Sequence, residues 1–91
     1  MEKKTIYYIY ILLSFKDFQF YTGYSANLNK RLIEHQKGKV KSTKNRRPLG
    51  LAYYEVCRNR KDAIHREKYL KTSWGKRYIK NRIKNYLKDF R

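Results

Sequence analysis

One cysteine, two histidines and seven acidic residues in a chain of 91 exclude several designs at once. Cys57 has no partner for an internal disulfide, and with only His35 and His65 beside it the ligands for a structural zinc site are too few. A reducing, cytoplasmic setting is expected. The apolar run at residues 6–13 is too short to span a bilayer, carries three tyrosines, and is followed by no small-residue cleavage site. Internal repeats, low-complexity tracts and linkers are also lacking, so residues 1–91 are expected to form a single domain with a modest core.

What the chain has in abundance is positive charge. Lys and Arg number 24 against 7 Asp and Glu, a formal charge of +17, and such an excess repels itself unless an anionic partner relieves it. Membrane surfaces are anionic too, but here the cations run along the whole chain and alternate with ten tyrosines, a mixture that fits nucleic acid better. Charge alone does not separate DNA from RNA.

Residues 6–13 are apolar on both faces and rich in β-branched and aromatic side chains, which predicts a central strand covered on both sides. Residues 18–24 follow as its antiparallel partner across a loop at 14–17. Leu13 then faces Phe18 and Tyr10 faces Tyr21, so the two phenols become cross-strand neighbours. They either stabilise the hairpin by packing or tune each other chemically. Gly23 marks a bulge or a place where something approaches the backbone closely.

Ser25 or Asn27 can cap a helix over 26–37, closed by Gly38, with Leu28, Leu32 and Ile33 as its buried stripe. Arg31 and His35, one turn apart, project together from the edge of that stripe. Residues 39–48 have no apolar period and five basic residues in ten, which predicts an exposed loop that touches phosphates or serves solubility. A third strand is expected at 51–57 and a helix at 60–73 with Ala63, Ile64, Leu70 and Trp74 on one face. Glu67 falls inside that face, where a carboxylate needs a cation: an arginine partner or a metal. Glu34, Glu55 and Asp62 read as ordinary charges. Tyr78, Ile79, Arg82, Ile83, Tyr86, Leu87 and Phe90 give a last amphipathic helix. The expected fold is α+β, a small three-stranded antiparallel sheet flanked by three helices.

Tyr8-Ile9-Tyr10, Tyr21-Thr22-Gly23, Arg31, His35 and Glu67, in that order, resemble the GIY-YIG endonuclease family, in particular its short stand-alone branch, over nearly the whole chain. Tyr8 stands where the family has its leading glycine and Thr22 where it has an apolar residue. Asn81 and Asn85 are the candidates for the C-terminal asparagine that many members use. The resemblance implies a catalytic set of Tyr10, Tyr21, Arg31, His35 and Glu67, with Glu67 as ligand to Mg²⁺ or Mn²⁺. Tyr10 would be a general base with its pKa lowered toward neutrality by Arg31 or Lys30. Lys30, Lys39, Lys41, Lys44, Arg46 and Arg47 are expected to bind the nucleic acid, with DNA as the expected partner. The expectation is a metal-dependent endonuclease in DNA repair or processing, structure-directed or weakly sequence-specific. The alternative is a non-catalytic DNA- or RNA-binding module on the same basic surface.

Overall fold

The computed structural model describes residues 5–90. In chain order it has β1 (Tyr7–Ser14), β2 (Phe20–Ser25), α1 (Leu28–Gln36), a single 3-10 turn (Lys44–Arg46), β3 (Leu49–Cys57), α2 (Arg60–Leu70), α3 (Ser73–Arg82) and α4 (Lys84–Lys88). The three strands form one antiparallel sheet in the order β2-β1-β3. As its two-sided apolar pattern predicts, β1 is central, and every residue from Ile9 to Ser14 is buried.

Strand alternation gives the sheet two faces. On one, Ile9 and Ile11 pack with Ala63 and Leu70 of α2, Ile79 of α3 and Ile83 into the main core. On the other, Tyr10 and Leu12 point away from that core, and α1 supplies the cover through His35. The core therefore holds a site-bearing face in place without taking part in it.

The hairpin register differs from the sequence expectation. Leu13 pairs with Phe20 and Tyr10 with Gly23, not with Phe18 and Tyr21. The cause is a longer turn at 15–19, built on Ser14: its Oγ accepts from the amides of Lys16 and Asp17, and Phe18 adopts a φ of 55°. Turn chemistry rather than strand pattern set the pairing. The slip is from Phe18 to Phe20 opposite Leu13, an even step, so every side chain keeps its face. Tyr10 and Tyr21 remain on one surface, as diagonal rather than direct neighbours.

The helices also divide differently. The helix expected over 60–73 ends at Leu70, because the Thr72 hydroxyl accepts from the Gly75 amide and caps a new helix, α3. Gly75 sits so close to α2 that a Cβ would collide with the Tyr69 and Leu70 backbone. The last amphipathic stretch breaks at Ile83, whose φ of −114° and ψ of 28° are not helical, leaving α3 and α4 as separate pieces. Trp74, expected on the packed face, is 67% exposed beneath the Arg77 guanidinium. No helix among the described residues is long and apolar enough to cross a membrane.

Candidate active site

Four elements supply the singled-out residues: β1, β2 and α1 on the Tyr10 face of the sheet, and α2 from the side that carries the main core. Tyr10 comes from the centre of β1 and Tyr21 from β2, with ring centroids 6.3 Å apart. α1 adds Arg31 and His35, and α2 adds Glu67. Asn27 fixes where α1 starts by accepting from the Lys30 amide, and Gly38, at a φ of 76°, lets the chain turn away at its end.

His35 is the hub. Its ring lies 5.6 Å from that of Tyr10 and 5.1 Å from that of Tyr21. Its Nε2 shares a 2.9 Å hydrogen bond with the Tyr10 hydroxyl, and its Nδ1 a 2.7 Å bond with the Thr43 hydroxyl. The imidazole is buried, on the packed side of α1 rather than at the edge of its stripe, while Ile33, expected in that stripe, is half exposed. Two tyrosine rings on the sheet and the Thr43 hydroxyl win this place for a histidine over an isoleucine, because both ring nitrogens are satisfied there.

Burial governs the titrations. It pushes the Tyr10 phenol up to about 12; a hydrogen bond and the charge of Arg31 pull the other way, while Tyr21 and the Glu67 carboxylate add to the rise. The fall toward neutrality expected for a general base is therefore not present in this state, because desolvation outweighs the guanidinium. Burial, reinforced by Arg31 and opposed by Glu34, also lowers His35 to about 4, so its ring is neutral at pH 7. Arg31 itself is held firmly charged: burial is outweighed by Glu34, 3.1 Å from its Nη1, and by Tyr10 and Tyr21.

Glu67 is near enough for its charge to oppose ionisation of Tyr10. Its side chain is only 16% exposed; Oε2 lies 3.4 Å from Lys71 Nζ, one turn on, and no arginine partners it among the described residues. Oε1 has no hydrogen-bond partner among those residues. The described residues contain no cluster of three His, Cys, Asp or Glu side chains, so Glu67 offers one carboxylate, not a cage. Asn81 on α3 and Asn85 on α4 are both exposed, and neither has a hydrogen bond to these groups.

The basic loop splits into two kinds of cation. Arg46 is tied inward to Asp17 at 3.0 Å and to the Gln19 and Phe20 carbonyls, and Arg47 donates to the Lys44 and Gln36 carbonyls. Those two arginines shape the loop. Lys30, Lys39, Lys41 and Lys44 are exposed and pair with no acid among the described residues. A groove of about 650 Å³ against the basic loop is lined by Lys16, Gln36, Lys44, Asn45, Arg47 and Pro48, with Leu49.

Two features escaped sequence reasoning. Val40 and Thr43 are buried within the loop expected to be exposed; the only available signal was one valine among cations. Glu55, read as an ordinary charge, receives Arg66 through two bonds of 2.8 and 2.9 Å and the Tyr53 hydroxyl at 2.9 Å, on the opposite face.

Residues 6–82 match the GIY-YIG catalytic domain. A UPF0213 protein of Staphylococcus saprophyticus is 43% identical over 67 residues, which cover 72% of this chain and 80% of that one. One from Clostridium perfringens is 43% identical over 65 residues, 70% of this chain and 69% of its own. Among solved structures, the solution NMR structure of the UPF0213 protein BH0048 from Bacillus halodurans superposes with a TM-score of 0.53 at 30% identity, covering 81% of each chain.

Proposed function

The chain belongs to the GIY-YIG family, and from that premise we propose that it is a metal-dependent endonuclease that hydrolyses phosphodiester bonds in DNA, in the cytoplasm, during repair or processing. The observation that carries this reading is the Tyr10 hydroxyl, held 2.9 Å from His35 Nε2 with Tyr21, Arg31 and Glu67 around it. Packing alone gives no reason to gather two phenols, an imidazole, a guanidinium and a carboxylate in one place.

Arg31 has the planar fork to grip two oxygens of the scissile phosphate and to offset the charge that grows there. Tyr21 orients the attacking water or donates to the phosphate. Tyr10 takes the proton from that water, and for this the phenol must first give up a proton that burial retains until about 12. Arg31 supplies the opposing pull.

Glu67 is the residue that would hold Mg²⁺ or Mn²⁺, and one carboxylate with a free oxygen suits a cation that takes most of its ligands from water and phosphate. When bound, such a cation supplies charge stabilisation at the departing oxygen. Lys30, Lys39, Lys41 and Lys44 contact flanking phosphates, with Arg46 and Arg47 holding the loop that presents them. These contacts fix register and carry no base information, so cutting is structure-directed or weakly specific.

The rival reading, a non-catalytic module for DNA or RNA, draws its support from the unionised Tyr10. A panel of labelled branched, duplex and single-stranded DNAs, incubated with Mg²⁺, Mn²⁺ or EDTA beside the Glu67→Ala protein, separates the two. Metal-dependent products absent from the variant lane are expected; binding without products in any lane would leave the module.

A further inference from the structure

Thr43 stands immediately before the Lys44–Arg46 turn, at the position where a threonine hydroxyl ordinarily accepts from the turn's own amides. It makes no such bond. The side chain is completely buried and its Oγ1 lies 2.7 Å from His35 Nδ1, its only hydrogen-bond partner among the described residues. A neutral imidazole carries one N–H, so only two proton arrangements run through Thr43, His35 and Tyr10.

In the first, the Tyr10 hydroxyl donates to Nε2 and Nδ1–H donates to Thr43, which strands the Thr43 proton in the interior without an acceptor. In the second, Thr43 donates to Nδ1 and Nε2–H donates to the Tyr10 oxygen, which leaves the Tyr10 proton as the free one. Tyr10 is itself only 1% exposed, but its oxygen is the one that a substrate water or phosphate must reach if the nuclease reading holds, so this proton gains an acceptor there and the Thr43 proton never does. Buried donors without partners are rare and costly, whereas a spare lone pair is tolerated.

We propose that Thr43 is a positioning residue that fixes His35 as the Nε2–H tautomer, aiming an N–H at the Tyr10 oxygen. The groups that face this oxygen are His35 and Arg31 from α1, Tyr21 from β2 and Glu67 from α2. Arg31 favours the phenolate and Tyr21 and Glu67 oppose it; an Nε2–H aimed at the oxygen would add to the pull of Arg31. The preference for this tautomer and its catalytic use both rest on the nuclease reading.

Ring-nitrogen NMR of His35 in the wild-type protein at neutral pH is the first test. A proton on Nε2 is expected, and a proton on Nδ1 overturns the assignment. The second compares Thr43→Val with Thr43→Ser in single-turnover cleavage at saturating DNA. Valine is expected to slow the cut about fivefold to tenfold, the worth of one buried hydrogen bond, with DNA affinity unchanged; serine restores the rate. A native rate for Thr43→Val also overturns the proposal. Should valine prevent folding, the wild-type tautomer and the serine variant decide. A wild-type protein that cuts no DNA removes the nuclease reading, while the NMR result still decides the tautomer.

Discussion

Tyr10 lies directly across from Gly23, and its ring crosses that glycine so closely that a Cβ there would fall 2.5 Å from the phenol oxygen. The glycine is thus the floor on which Tyr10 rests. Because the hydroxyl is also held by His35, the ring has nowhere to yield.

Gly23→Ala is therefore expected to displace Tyr10, destabilise the fold by about 1–3 kcal/mol through overpacking, and stop cleavage. Urea melts beside a cleavage assay check this. An alanine protein that melts and cuts like the wild type would mean that the ring has room to move.

Tyr10→Phe removes only the hydroxyl and leaves His35 Nε2 without its partner. A stability loss of about 1–3 kcal/mol is expected from the unmet buried group, together with loss of cleavage and retention of DNA binding. Undiminished single-turnover cleavage would remove Tyr10 from the role of base.

Glu67→Ala separates metal chemistry from folding. Its partner Lys71 is a surface neighbour one turn away, a pair of a kind worth about 0.3–0.5 kcal/mol, so stability should hardly change. Cleavage should vanish while affinity for DNA in EDTA stays at the wild-type level. Persistent cleavage at a near-native rate would show that the carboxylate holds no essential cation.

Salt titration distinguishes the two kinds of basic residue. Affinity should fall with a log–log slope of about −0.9 per phosphate contacted on duplex DNA, and Lys39→Ala or Lys41→Ala should each shallow that slope by about one contact at constant stability. Arg46→Ala should instead lower the melting temperature, because it releases Asp17 and two turn carbonyls. A flat salt response would contradict a phosphate-dominated interface.

His35 makes stability depend on pH. The folded protein keeps this ring neutral down to about 4, whereas the unfolded chain takes up a proton near 6.5. Between these values the unfolded state binds more protons, so stability falls as pH falls. Thermal melts should decline from pH 7 to 5 and flatten, for this group, below about 4; His35→Gln should remove that component. Asp17, held at about 2 mainly by Arg46, adds a loss only below the usual carboxylate range. A melting temperature that is level from pH 7 to 5 would argue against a buried neutral imidazole.

The amino-acid sequence by itself determined the strand at the centre, the sheet of three antiparallel strands, the positive surface, and the family to which Tyr10, Tyr21, Arg31, His35 and Glu67 pointed. These are local matters: alternating or continuous apolar runs, caps such as Asn27, and the side-chain chemistry of single positions. Only the tertiary structure decided the pairing of Tyr10 with Gly23, the break at Ile83, the burial of His35 and the part played by Thr43. Several of these depend on groups that no strand or helix pattern records: Ser14, whose Oγ holds the turn while donating to the Arg46 carbonyl, or a threonine reaching back eight positions to an imidazole. The same holds for the Tyr10 phenol, whose proton affinity was expected to fall under Arg31 and instead rises, because desolvation depends on everything packed around the ring, and no pattern along one strand records that.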